Sequence, residues 1–107
     1  MLKWFKNLYI GDTANKQKNR IIWKVNHGVG VWDIYLITLA SNPDNLLDII
    51  SANMLLQKPI RRRCPLIVGL ASGHEEALQL VEQIISDVYQ KTGAVAVRQY
   101  IEQQLRN

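Results

Sequence analysis

The sequence predicts a single small α/β domain: a mixed β-sheet, an antiparallel hairpin plus a parallel βαβ unit, packed with about four helices. Three observations carry that expectation. Asp33–Ala40 and Leu66–Ala71 are apolar, β-branched runs, and each stops at a helix-start signal, Ser41-Asn42-Pro43-Asp44 and Ser72-Gly73-His74-Glu75. A helical apolar pattern follows each run, and successive strand-to-helix units join parallel strands through a crossover. A further run rich in β-formers, Arg20–Val25, precedes the first across Asn26-His27-Gly28-Val29-Gly30, the chemistry of a hairpin turn.

The elements follow in chain order. Leu2, Phe5, Leu8 and Tyr9 recur at helical spacing, with Lys3, Lys6 and Asn7 between them. This predicts a helix over 2–9, ended by Gly11. Residues 12–19 are polar and basic and predict a loop. Strands are expected over 20–25 and 32–40. Asn42 is placed to cap the next helix, Pro43 suits its first position, and Asp44 complements its positive end. Leu46, Leu47, Ile49, Ile50, Met54 and Leu55 extend it over 43–56 as a broadly buried helix. Pro59 and the arginines after it predict a loop.

Residues 66–71 read as a strand covered on both faces. Ser72 and Glu75 match a capping box that opens a helix over 74–91. Ala77, Leu78, Val81, Ile84, Ile85 and Val88 form its apolar stripe, and Gly93 ends it. Val97, Ile101 and Leu105 give a last helix over 95–105. In this arrangement strands 20–25 and 32–40 are antiparallel, and 32–40 and 66–71 are parallel. The phrases Leu-Ala-Ser-Asn-Pro-Asp-Asn-Leu-Leu-Asp-Ile-Ile and Ile-Val-Gly-Leu-Ala-Ser-Gly-His-Glu-Glu-Ala-Leu, within roughly residues 30–93, resemble small uncharacterised bacterial α/β proteins. The resemblance implies no activity.

With 107 residues and an apolar share of 48%, the chain is expected to fold as one domain over residues 1–107. No apolar run approaches the roughly 20 residues a membrane-spanning helix needs. Lys3 and Lys6 interrupt any secretory h-region, so a cytoplasmic location is expected. The single Cys64 can form no internal disulfide. The net charge of +4 is unevenly spread. Lys3, Lys6, Lys16, Lys18, Arg20 and Lys24 stand against Asp12 alone in residues 1–32, and Lys58, Arg61, Arg62 and Arg63 have no acid among them.

Candidate sites follow from these patterns. If both helix starts share one sheet edge, Ser41, Asn42, Ser72, Gly73 and His74 form a candidate anion site, because free N–H groups and the helix dipole attract negative charge. Capping alone also explains these residue types. Neither a Rossmann fingerprint nor a P-loop is present. Lys16, Lys18, Arg20, Lys24, Arg61, Arg62 and Arg63 form a candidate basic patch. Trp4, Phe5, Tyr9 and Trp23 lie among the basic segments and serve either base stacking or core packing.

His74 has no nucleophile at a known spacing, and Cys64 beside three arginines reads as a half-buried structural thiol. One cysteine and two distant histidines give no zinc pattern. No catalytic residue, metal or cofactor is assigned. The first expectation is a non-enzymatic interaction or regulatory module. A nucleotide- or phosphate-binding protein using turns 41–45 and 72–76 ranks second, and a nucleic-acid accessory protein using the basic segments third. A small sheet leaves open edges, so a homodimer through a sheet edge or a helix face is the expected form of self-association.

Overall fold

The computed structural model describes residues 2–42 and 44–106. The chain runs through β1 (Trp4–Ile10), α1 (Asp12–Asn15), α2 (Lys18–Asn26), β2 (Ile34–Leu39) and β3 (Leu47–Ser51). A 3₁₀ turn (Ala52–Leu56) then leads to α3 (Lys58–Arg63), β4 (Ile67–Ser72), α4 (His74–Thr92) and α5 (Val97–Arg106). The four strands lie in the order β1-β4-β2-β3. β1 and β4 are parallel, whereas β2 pairs antiparallel with both β4 and β3. The fold is therefore a mixed α/β sheet with one hairpin and one parallel pair, as expected, but other segments supply them.

Helices cover both faces of the sheet. On one face Phe5, Ile37, Leu39 and Val68 meet Leu80, Ile84 and Val88 of α4 and Ile101 of α5. On the other, Ile34, Leu36, Ile67 and Leu70 meet Ala14 of α1, Ile21 and Val25 of α2 and Leu55 of the 3₁₀ turn. β4 lies between β1 and β2, so Ile67–Ala71 is buried on both sides. Gly69 serves a close approach: a Cβ there would stand 3.1 Å from Ile37 and 3.2 Å from Leu80.

Five expected elements are corrected. The helix over 2–9 is instead strand β1. Its register against β4 is interrupted between Trp4 and Tyr9. The interruption separates the apolar pair Trp4–Phe5 from Leu8–Ile10 by exposed Lys6 and Asn7, which imitates helical spacing. The strand over 20–25 is instead helix α2, and the loop over 12–19 holds α1 and the start of α2. Ile21 and Val25, four apart, are buried while Lys18, Asn19 and Arg20 face solvent, so packing overrides β-branched propensity. The expected hairpin between 20–25 and 32–40 is absent for that reason.

The helix over 43–56 is instead β3 plus the 3₁₀ turn. Ile49 and Ile50 pair with Ile37 and Leu36, and Pro43 as a helix-opening residue lies outside the described residues. With a hairpin partner in place of a crossover helix, β2 meets β4 antiparallel, which corrects the parallel pairing of 32–40 with 66–71. The loop at Pro59–Arg63 is helix α3, with Pro59 in its first turn and Arg61, Arg62 and Arg63 at its negative end.

A side-chain latch ties β1 to the C-terminal helices. Tyr9 Oη donates to Asp87 Oδ2 at 2.5 Å. Lys91 Nζ lies 3.3 Å from the same carboxylate and donates to Tyr100 Oη at 3.3 Å. The Tyr9 hydrogen bond holds the Asp87 carboxyl below its ordinary range, outweighing partial burial and aided by Lys91. Burial, together with Asp87, pushes the Tyr9 hydroxyl well above its ordinary pKa.

The α4 stripe is Ala77, Leu80, Ile84 and Val88, whereas Leu78 is 48% exposed. Ile84→Ala should therefore cost about 2–5 kcal/mol through the cavity it leaves. Leu78→Ala should stay within about 0.5 kcal/mol of the parent. Urea midpoints of the two variants check the assigned face.

Candidate functional site

The parallel strands β1 and β4 end at the same edge, and antiparallel β2 begins there, since Ile34 pairs with Ser72. This edge gathers the β1-to-α1 turn, the β4-to-α4 turn and residues 31–33. Outside the carboxyl ends of parallel strands is where open α/β sheets bind ligands.

The backbone groups of these turns are largely taken. Glu76, in the first turn of α4, reaches back over the edge. Its carboxylate accepts the N–H of Ser72 at 2.6 Å and the N–H of Thr13 at 2.7 Å. One carboxylate thus closes the end of β4 and the start of α1. Gly11, which precedes α1, leaves the space it fills: a Cβ there would stand 2.4 Å from Glu76 Cδ.

Burial pushes the Glu76 carboxyl up, but the amides of Thr13 and Ser72 outweigh it and hold the carboxyl below its ordinary value. The expected Ser72–Glu75 capping box is absent. Gly73 is the N-cap, with no side-chain cap bond. It adopts φ 86° and donates its N–H to the Asp33 carbonyl at 2.7 Å. Asp33 itself has φ 56°.

The two predicted anion turns do not meet. Ser72, Gly73 and His74 lie at this edge. Ser41 and Asn42 follow the C-terminal end of β2, at the opposite edge. There the Ser41 N–H points to Asp48 Oδ2 at 3.3 Å, and Asn42 Oδ1 accepts the Asp44 N–H at 3.0 Å. The shared site expected from two parallel units falls with the antiparallel pairing. His74 is exposed, with its ring edge-on to Tyr35 at 5.3 Å.

The basic segments do lie on one layer, that of α1, α2 and α3. Arg61 is spent on structure: its guanidinium donates to the carbonyls of Val25 at 3.0 Å and Asn26 at 2.5 Å, capping the C-terminus of α2. Arg62 and Arg63 are exposed beside it. Lys16 is the C-cap of α1, whereas Lys18 and Arg20 sit at the start of α2, whose first turn carries no acid. Cations there oppose the positive end of the helix dipole, so they are poorly placed for stability.

Between α2 and the edge lies a cleft of about 340 Å³. Thr13, Gln17, Arg20, Lys24, Trp32 and Ser72 contribute to its wall. Trp32 is 88% exposed, a rare state for the largest apolar side chain. The sequence reading placed Trp32 within a strand and missed it. The available signal was its place between Gly30 and Asp33, just ahead of the strand, at the end of a stretch without Asp or Glu from Thr13 to Trp32. Trp23, read as core or stacking, is 55% exposed and stacks on the His27 ring, centroids 4.1 Å apart. Trp4 donates its Nε1–H to Asn26 Oδ1 at 2.7 Å, and Phe5 is core.

Cys64 is half-buried, and burial raises its thiol pKa against the opposing pull of Arg61. Among the described residues, no three His, Cys, Asp or Glu side chains are grouped to hold a metal ion, and no helix is long and apolar enough to cross a membrane. Compared with protein-family models, curated proteins and solved structures, the chain matches none.

Glu76→Gln should lower stability at neutral pH by about 2 kcal/mol, the scale of hydrogen bonds to a charged acceptor. Because the folded carboxyl titrates below its ordinary value, its contribution is complete above the unfolded pKa. It disappears as pH falls through the lower folded pKa. The gap between parent and variant in thermal melts should therefore close on acidification into and below the ordinary glutamate range. A gap that stays constant with pH would show that Glu76 acts through packing alone.

Proposed function

We propose that this protein is a non-enzymatic binding module for an anionic ligand that carries a planar ring, a phosphate-bearing nucleotide unit. The exposed Trp32 in the wall of a cation-lined cleft carries this reading. An indole face offers stacking to any base, and Arg20 and Lys24 supply charge-assisted contacts to phosphate. The absence of acid from Thr13 to Trp32 leaves that charge uncompensated within the segment. The position outside the ends of the parallel strands agrees with where open α/β sheets in general bind ligands.

The amides of Ser72 and Thr13 serve Glu76, so side chains rather than helix starts are the phosphate contacts in this reading. No role in chemistry is given to His74 or Cys64, because the His74 ring meets the Tyr35 ring rather than a nucleophile, and burial outweighs the pull of Arg61 on the Cys64 thiol.

Titrating a nucleoside monophosphate into the protein should quench the tryptophan emission saturably. The quench should vanish in Trp32→Ala and weaken in Arg20→Gln and Lys24→Gln. All three changes fall on exposed or half-exposed side chains, so melting temperatures should stay near the parent value. No saturable signal at millimolar nucleotide would sink the reading.

A further inference from the structure

A second exposed indole stands next in the chain to a residue of the Trp32 cleft. Lys24 lines the cleft and directly follows Trp23, the second exposed indole. The segment carrying Trp32 folds back on this end of α2, because the Val29 N–H donates to the Lys24 carbonyl at 2.9 Å. Asn53 pins the same segment from the other side: its side chain accepts the Val31 N–H at 2.9 Å and donates to the Val31 carbonyl at 2.7 Å. The loop is thus tied to α2 at Val29 and to the 3₁₀ turn at Val31, both just ahead of Trp32.

Trp23 is also prepared as a surface. Its ring lies on His27 with 20° between planes. The imidazole is held in turn by Nδ1 against the Trp23 carbonyl at 2.7 Å. One indole face is occupied by its own chain, while the residue as a whole stays 55% exposed. Lys24 thus shares the cleft with Trp32 and Arg20 and adjoins Trp23 in the chain, with Arg20 one turn earlier on the same helix.

Resting on the reading of Trp32 as a base platform, we propose that the ligand is a single-stranded nucleic acid. Successive bases stack on Trp32 and Trp23 while the phosphates follow Lys24 and Arg20. Spaced aromatics along a positive track are the recurring solution for single strands, and stacking tolerates any base. A duplex would hide the base faces that the indoles need. An anionic lipid surface would share the charge, but Arg20 and Lys24 line a concave wall rather than ring an apolar protrusion, as an interfacial anchor requires.

The test compares a nucleoside monophosphate, a dinucleotide and single strands of up to about eight nucleotides, within the range of known single-strand sites. Deoxythymidine and uridine series distinguish DNA from RNA, and a matched duplex and anionic phospholipid vesicles serve as the other arms. Affinity should rise about tenfold or more from monophosphate to the longer strands. It should drop on duplex formation and fall with salt by roughly 0.7 log units per contacted phosphate per decade. Trp23→Ala should remove the gain with length and leave monophosphate binding at Trp32 intact. Monophosphate binding that does not strengthen with length overturns the strand and spares the nucleotide reading. Absence of binding by every nucleotide overturns both. Binding of vesicles without binding of strands assigns the surface to lipid and overturns the proposal.

Discussion

The burial of β4 on both faces is the constraint on which the other elements depend. Ile67–Ala71 is inaccessible to water from either side, so the strand needs a neighbour on each edge and a helical layer above and below. β1 and β2 supply the edges. α4 and α5 close one face, and α1, α2 and the 3₁₀ turn close the other. Gly69 sets how closely this packing can be drawn, because its missing side chain lets Ile37 and Leu80 approach to distances that a methyl group would make tight.

Once β4 is central, its C-terminal end becomes the place where three connections crowd. A small protein must satisfy the free amides there. Glu76 does so with one carboxylate shared between the end of β4 and the start of α1, and Gly11 supplies the room. The same economy explains why this edge does not repeat the phosphate-binding turn of larger α/β proteins. The negative charge that such a turn would take from a ligand is provided by the chain itself. What remains open is one step out, the cleft between α2 and this edge.

How much of this was legible follows from what each pattern reports. The strands around Leu36 and Leu70 and the helices from His74 and Val97 were readable, because long runs with clear boundaries fix both type and period. Leu2–Tyr9, Arg20–Val25 and Leu46–Leu55 were misread, because each is short and its apolar spacing fits both periods. Tertiary pairing decided those segments, and no local propensity contains it. Pairing also decided the site. The two helix starts look equivalent in sequence, and only the antiparallel register of β2 sends Ser41 and Asn42 to the far edge. The basic residues were legible as a group, but Arg61 could not be recognised as a helix cap without the position of Val25 and Asn26.

The distribution of cations separates structural from surplus charge. Arg61 completes α2 at its negative end, where a cation stabilises, and Lys91 pairs with Asp87. Lys18 and Arg20 do the reverse: they crowd the positive end of the same helix, in a stretch without any acid. The exposed Trp32 is surplus in the same sense, since at 88% exposure it gains little from burial and leaves apolar surface in water. Arg20 and Trp32 meet in one cleft, and the ligand proposed for that cleft would offset what each costs the isolated fold. A bound anion would offset the repulsion at the start of α2, and a stacked ring would cover the indole. Ligand binding at this site should therefore stabilise the protein by mass action, with the gain largest at low ionic strength, where the unpaired cations repel most.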